Sequence, residues 1–266
     1  MSGKHVAIIT GASSGIGAAT AQLFAMEGYH VVLAARREDR ISTLAKEFNS
    51  QGADALAIQA DVTNRESIQA VVNQTLQECG QIDLLFNNAG FARQMWLEEM
   101  DLVRDIAQQV QVNIMGVLQT TQAVLPHMIE RRSGHIINMS SMAGFVAPPT
   151  YSIYSTTKYA VRGFSEALRR EVGVWGIEVS GIYPASVATE FTDHTEGKFR
   201  SDFLYPKVFQ LSAQKVAKEV LRVTRSPKQT VILPRIMHFA KWMNILIPGV
   251  IDWIIERAFV RPERGL

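Results

Sequence analysis

The sequence predicts an α/β fold: a doubly wound, seven-stranded parallel sheet of Rossmann type, in one domain with a C-terminal apolar helical extension. Three observations predict it. Short apolar runs rich in Val, Ile and Leu alternate with stretches whose apolar residues recur at three-to-four spacing. The runs are nearly continuous in apolar character, as strands covered on both faces require. A glycine-rich turn, Thr10-Gly11-Ala12-Ser13-Ser14-Gly15-Ile16-Gly17, links the first run to the first periodic stretch. Phosphate-binding turns stand at this place in such sheets.

The expected strands are Val6–Thr10, Val31–Ala35, Ala55–Ala60, Ile82–Phe86, Ile136–Met139, Ile177–Ile182 and Thr230–Leu233. Stretches such as Ala18–Met26, Ile41–Phe48 and Ile68–Leu76 carry the helical period. Seven strands and six intervening helices fill the chain to about residue 233. No linker or repeat interrupts them, so residues 1–266 read as one domain, with a core over about 5–233 and an extension over 234–266. Two segments break the rhythm. Ala185–Leu211 has weak periodicity and several turn-forming residues, and a connection of that length is commonly a lid. The extension is treated below.

Composition narrows the function classes. The 266 residues are 47% hydrophobic and 20% charged, which excludes a disordered, collagen-like or coiled-coil chain. Lys and Arg number 27 against 25 Asp and Glu, so a nucleic-acid footprint is not expected. The single cysteine, Cys79, excludes an internal disulfide framework and a multi-cysteine zinc site, and no metal is expected. Met1-Ser2-Gly3-Lys4 leads directly into the first apolar run, without the pattern of a secretory signal. No run reaches the ~18 apolar residues of a spanning helix. A cytoplasmic enzyme is the expectation, with peripheral membrane contact as an alternative.

The glycines let the backbone turn tightly and let a pyrophosphate approach the positive N-terminus of the following helix. Gly11, Ser13 and Gly15 also spell G-x-S-x-G, the nucleophile elbow of hydrolases. Only one strand precedes it and no histidine sits at an obvious strand end, so that reading is disfavoured.

Thr10–Gly17 resembles the glycine motif of the short-chain dehydrogenase/reductase family. Asp61-Val62-Thr63 resembles that family's adenine-contacting motif, and Asn87-Asn88-Ala89-Gly90 resembles its cofactor-lining NNAG. Ser141, Tyr154 and Lys158 stand where the family keeps its catalytic residues, with Asn113 as the fourth member. Tyr183-Pro184-Ala185-Ser186-Val187-Ala188-Thr189 resembles its Pro-Gly-x-Val-x-Thr segment, with Ala185 replacing the glycine. The match spans residues 5 to about 233. It implies hydride transfer between a carbonyl and a secondary alcohol. It further implies cofactor contacts from Gly11, Ser13, Ser14, Gly15, Ile16 and Gly17, then Asp61, Val62, Asn88, Ala89 and Gly90. Tyr154, Lys158, Pro184, Val187 and Thr189 complete that set. Asn113 would hold a proton-relaying water. A homodimer or homotetramer, pairing through helices near 100–130 and 151–172, is implied as well. A non-catalytic dinucleotide-binding regulator on the same fold is the alternative.

The chemistry of these residues is coherent. Tyr154 and Lys158, four apart on an expected helix, share one face. An adjacent ammonium favours phenolate, as would the positive nicotinamide of an oxidised cofactor, and lowering a phenol by about three pKa units requires roughly 4 kcal/mol. Tyr154 is therefore expected to have a depressed pKa and to exchange a proton with the substrate oxygen, held in turn by the Ser141 hydroxyl. Ser140 is a neighbouring hydroxyl; the family's spacing, thirteen residues before the tyrosine, selects Ser141.

At the end of the second strand a carboxylate would bond the ribose hydroxyls and repel a 2′-phosphate. The chain has Ala34-Ala35-Arg36-Arg37 there. Ala35 stands where NAD-binding relatives keep an aspartate, and Arg36 is placed to fork onto a phosphate. NADP(H) is favoured and NAD(H) remains possible, since Ser14 stands where many NADP-binding relatives carry Lys or Arg.

Phe191, Phe199, Phe203, Leu204 and Tyr205 in the expected lid suit a partly apolar small-molecule substrate. Residues 236–260 hold 17 apolar side chains in 25 positions, with Trp242 and Trp253 among them and Arg or Lys at both ends. The favoured reading is a helical hairpin about Pro248-Gly249, packed over the substrate cleft or a partner subunit. Contact with a membrane surface is the alternative.

Overall fold

The computed structural model describes residues 4–191, 199 and 210–266. Seven parallel strands form one sheet: β1 (Val6–Thr10), β2 (His30–Ala35), β3 (Asp54–Gln59), β4 (Leu84–Asn87), β5 (Gly134–Met139), β6 (Ile177–Pro184) and β9 (Thr230–Leu233). All seven fall within two residues of their expected bounds. Their order is β3-β2-β1-β4-β5-β6-β9, so the winding reverses between β1 and β4. In an open parallel sheet that reversal leaves a crevice beyond the carboxyl ends of the strands.

The period-two alternation of each strand feeds two cores. Ala7 and Ile9 of β1, with Val31 and Leu33 of β2, face one side, against Phe24, Ile41 and Val220. Val6 and Ile8, with Val32 and Ala34, face the other, against Val72, Val124 and Leu168. The first layer is built by α1 (Gly15–Met26), α2 (Glu38–Ser50) and α6 (Ala213–Arg225). The second is built by α3 (Arg65–Cys79), α4 (Gly116–Arg131) and α5 (Ser152–Val172). Burial on both faces explains why the strands read as unbroken apolar runs.

Two features were not legible from periodicity. The helix leading into α4 carries π-helical turns at Leu102–Ala107 and Gln111–Met115. Two short strands, β7 (Val187–Ala188) and β8 (Leu211–Ser212), pair in parallel and close the base of the expected lid. Of the apolar and aromatic residues expected there, Phe203, Leu204 and Tyr205 lie outside the described residues. The extension forms α7 (Met237–Leu246) and α8 (Pro248–Ile255), a π turn over Glu256–Val260 and a last helical turn at Arg261–Arg264. No described helix is long and apolar enough to cross a membrane.

Candidate active site

A cleft of about 780 Å3 opens at the carboxyl edge of the sheet, over the reversal between β1 and β4. The glycine turn forms its floor. Gly11 has φ +65°, and a Cβ there would stand 2.8 Å from the Ala89 Cα. A Cβ on Gly17 would lie 2.3 Å from the Gly11 carbonyl oxygen. Only glycine permits this close approach of turn, helix and the loop after β4. Asn88 Nδ2 donates to the Thr10 carbonyl at 3.0 Å, and the Thr10 hydroxyl accepts from the backbone N–H groups of Asn88 and Ala89. Behind the turn, α1 starts at Gly15 with Ser14 as N-cap. Neither a side-chain cap nor an acidic residue occupies its first turn. Unused N–H donors at the positive end of a helix fit a pyrophosphate. Asp61 and Val62 form the adjoining wall, with Thr63 closing onto Asp61 Oδ1 through its backbone N–H and its hydroxyl.

The NNAG residues divide their tasks. Asn87 is buried and donates to Thr121 Oγ1 and Asn138 Oδ1, tying β4 to α4 and β5. Asn88, Ala89 and Gly90 line the cleft. Gly90 lies close to both Asn113 and Lys158.

Ser141, Tyr154 and Lys158 line the same cleft, and Asn113 stands directly behind them. Asn113 is fully buried in the second π turn. Its Nδ2 donates to the Phe91 carbonyl at 2.8 Å and to Thr157 Oγ1 at 3.1 Å, and its Oδ1 accepts from the Phe91 N–H at 3.0 Å. The extra residue of a π turn rotates this side chain inward. Ser140 and Ser141 are now distinguishable. Ser140 Oγ donates to the Lys158 carbonyl at 3.0 Å, inside the protein, whereas Ser141 lines the cleft beside the Tyr154 phenol, its Oγ accepting from the Ala143 N–H at 3.1 Å. Tyr159 hydrogen-bonds the Phe145 carbonyl, away from the cleft.

One expectation is corrected. Tyr154 does not have a depressed pKa: burial pushes its phenol well above the ordinary value of 10. The Ser141 hydrogen bond opposes that rise, and neighbouring Tyr151 adds to it. Lys158 does share the face of Tyr154, but its Nζ lies 5.5 Å from the ring centroid and donates to the Met139 carbonyl at 3.1 Å. Burial pulls Lys158 itself down to about 8. Desolvation therefore governs both groups.

The adenosine side departs from the sequence reading in another respect. Arg36 lines the cleft with an exposed side chain. Its neighbour Arg37 is the arginine tied to the glycine turn. It donates to Ser13 Oγ at 3.1 and 3.0 Å and to Ser14 Oγ at 2.7 Å. Arg37 also meets Glu190 at 3.0 Å, and Arg40 meets the same carboxylate at 2.8 Å. These two guanidinium groups, Arg40 foremost, hold Glu190 down at about 2. Arg37 thus supplies a cation at the turn where Ser14 lacks one. Ser13, the elbow candidate, accepts from an arginine instead of a basic nitrogen, and no histidine lines the cleft among the described residues.

Pro184, Ala185, Val187 and Thr189 complete the rim. Ala185 is not among the residues with positive φ, so replacement of the usual glycine introduces no backbone strain there. Phe191 stacks edge-on against Tyr154 at 5.7 Å, and Tyr151 does so from the other side at 5.9 Å. Phe91, Arg93, Gln94 and Phe199 extend the wall. Arg93 and Gln94 escaped the sequence reading because their partners come from distant segments. Arg93 faces the buried Asp105 at 3.6 Å, and Gln94 Nε2 donates to Thr150 Oγ1 at 3.2 Å. Thr150, at φ +66°, fixes the entry to α5 just ahead of Tyr154. The extension lines no part of this cleft among the described residues, so the expected packing of the hairpin over it is not found.

A parallel sheet with a glycine turn and a bare helix N-terminus at its reversal point is a Rossmann-type nucleotide-binding fold. The chain belongs to the short-chain dehydrogenase/reductase family: the family model for short chain dehydrogenases matches residues 5–198. An uncharacterized oxidoreductase of Staphylococcus saprophyticus is 42% identical over 196 residues, covering 73% of this chain and 78% of the relative. One from Listeria innocua is 40% identical over 192 residues, covering 71% and 77%. Among solved structures, a short chain dehydrogenase/reductase from Burkholderia phymatum in complex with NAD superposes with a TM-score of 0.85 at 27% identity, covering 93% and 95%. A short-chain dehydrogenase from Sphingobium yanoikuyae in complex with NADPH gives 0.79 at 29% identity, covering 94% and 95%.

Proposed function

We propose that this oxidoreductase interconverts a carbonyl and a secondary alcohol with NADP(H), Tyr154 exchanging the proton. The observation that carries the proposal is the convergence of Ser141, Tyr154 and Lys158 in one cleft with the glycine turn and Arg37. The dinucleotide's phosphates would rest on the bare N-terminus of α1, its adenine beside Asp61 and Val62, and its nicotinamide end near Asn88, Ala89, Gly90, Val187 and Thr189. Similar structures hold NAD in one case and NADPH in another. The absence of a carboxylate at Ala35 and the cations at Arg36 and Arg37 favour the phosphorylated form. When bound, the nicotinamide supplies or accepts the hydride.

The protein's own groups handle the proton. The Tyr154 phenol, raised by burial, would donate its proton to the carbonyl oxygen in reduction and take it back from the alcohol in oxidation. The Ser141 hydroxyl holds that oxygen and the phenol together. Lys158 keeps its ammonium charge below about 8 and supports the positions of Tyr154 and the ribose. Asn113 holds α5 and the loop after β4 in register. Phe91, Tyr151, Phe191 and Phe199, with Arg93 and Gln94 beside them, suit a partly apolar substrate carrying a polar end. The protein would act as a homodimer or homotetramer.

A panel of ketones, aldehydes and alcohols, followed at the reduced-nicotinamide absorbance band with both cofactors, tests this reading. Turnover should fall by about 10²–10⁴-fold in Tyr154→Phe with dinucleotide affinity retained. Full turnover in that variant would refute the role of Tyr154. Tight NADPH binding with no turnover of any substrate would favour the regulatory alternative.

A further inference from the structure

The extension is amphipathic in the reverse sense. In α7 the outward residues are His238, Phe239, Trp242, Ile245 and Leu246, which recur at helical spacing on one stripe. Asn244 and Lys241 instead lie against the body of the protein at the edge of this stripe. Asn244 Nδ2 donates to the Phe145 carbonyl at 3.4 Å, and Lys241 Nζ lies 4.5 Å over the Phe145 ring. In α8, Val250, Trp253 and Ile254 continue the outward stripe. Neither helix buries a single residue fully. Phe239 is 63% exposed, Leu246 70%, and Trp242 and Trp253 54% each. The hairpin is nevertheless firmly seated. Met237 packs into the cluster of Met142, Phe145, Tyr183 and Ile232, Phe259 is fully buried, and the Arg264 guanidinium covers Trp96 at 3.7 Å. A contiguous apolar face of this kind on a seated element marks an interaction surface.

Charge identifies the occupant. Lys241 lies 5.6 Å from the Trp242 ring and Arg257 4.8 Å from the Trp253 ring, so each outward tryptophan carries a cation at its side. Arg235, Lys241 and Arg257 have no ion pair among the described residues. Of the three acids in the extension, Glu256 is engaged by Arg261 and Glu263 also has a partner, which leaves Asp252. A second copy would set these cations against their like, whereas an anionic lipid surface complements them. Tryptophan with basic residues around an apolar face, on helices too short to span, is the pattern of an interfacial anchor. We propose that α7 and α8 dock this protein onto an anionic bilayer surface, with Phe239, Trp242, Leu246, Val250, Trp253 and Ile254 entering the headgroup boundary. The hydride-transfer reading is not needed for this.

The test is co-sedimentation of the full chain with vesicles of phosphatidylcholine, alone or mixed with phosphatidylglycerol. The protein should pellet with the mixed vesicles, less with the neutral ones, and less again at high salt. Its tryptophan fluorescence should be quenched by bromine-labelled acyl chains. The triple variant Phe239→Ser, Trp242→Ser, Trp253→Ser should lose at least ~10-fold in partitioning while keeping its unfolding midpoint, because the altered side chains are exposed. Should that variant misfold, quenching in the unaltered chain still decides. A protein that stays in the supernatant, unquenched, with both vesicle types overturns the proposal. So does light scattering that shows the triple variant at a lower oligomeric order than the unaltered chain, since the face would then belong to a second copy.

Discussion

Arg37→Ala should separate the two nicotinamide cofactors. In the structure the Arg37 guanidinium gives three of its N–H bonds to the Ser13 and Ser14 hydroxyls and one to Glu190. Against a 2′-phosphate, hydrogen bonds from a charged group are worth about 1.5–3 kcal/mol, or roughly 10- to 150-fold in affinity at ~1.4 kcal/mol per decade. NADH carries no such phosphate. It loses only what the arginine contributes by bracing the turn, about 0.5–1.5 kcal/mol or roughly 2- to 10-fold. Fluorescence titration of the variant with both reduced cofactors should therefore show NADPH weakened the more, by about an order of magnitude. Glu190 provides the converse test. Its carboxylate occupies Arg37 and Arg40, both partly exposed, in pairs worth up to ~1 kcal/mol each. Glu190→Gln should release both arginines and tighten NADPH by roughly 2- to 10-fold, with NADH unchanged. Arg36→Ala, titrated beside them, measures the arginine that the sequence reading selected. Equal losses for NADPH and NADH in Arg37→Ala would refute the reasoning.

Three further outcomes concern buried polar groups. The pKa of Lys158 falls from 10.5 to about 8 on folding, so its contribution to stability is present above 10.5 and lost as pH drops through about 8. Lys158→Met should therefore be more stable than the unaltered protein at pH 7, by up to about 3 kcal/mol, while turnover collapses. Denaturant unfolding should show that advantage shrinking toward pH 10; a constant gap would contradict it. His135, buried against Ser180 Oγ at 2.9 Å, is lowered from 6.5 to about 4. Its contribution is present above pH 6.5 and lost as pH falls through about 4, costing about 3 kcal/mol, and His135→Gln should flatten that slope in acid unfolding curves. Asn113→Ala removes the partner of both part-buried Phe91 backbone groups, so a destabilisation of about 1–3 kcal/mol is expected in urea titration, along with reduced turnover.

Much of the site was legible because its determinants are local. The spacing of Tyr154 and Lys158 is one turn of helix, and the glycines of Thr10–Gly17 are required by a turn only a few residues long. The roles of Ser140 and Ser141 were not legible from composition, since two adjacent hydroxyls are chemically alike. Only the packing of α5 against the end of β5 turns one onto the Lys158 carbonyl and the other toward Tyr154. The tie from Arg37 to Glu190 joins residues 153 positions apart, beyond the reach of any local pattern.

By itself, then, the sequence determined the seven strands, the helices between them and the glycine turn, while the candidate site residues came from the resemblance of short motifs to a known family. The elements follow from hydrophobic period and backbone sterics, which neighbouring residues settle among themselves. Tertiary structure alone decided the sign of the Tyr154 shift, the arginine that grips the glycine turn and the direction in which the apolar stripe of α7 faces. Those depend on desolvation and on contacts between segments far apart in the chain. Such quantities come into existence only when the sheet has brought the segments together.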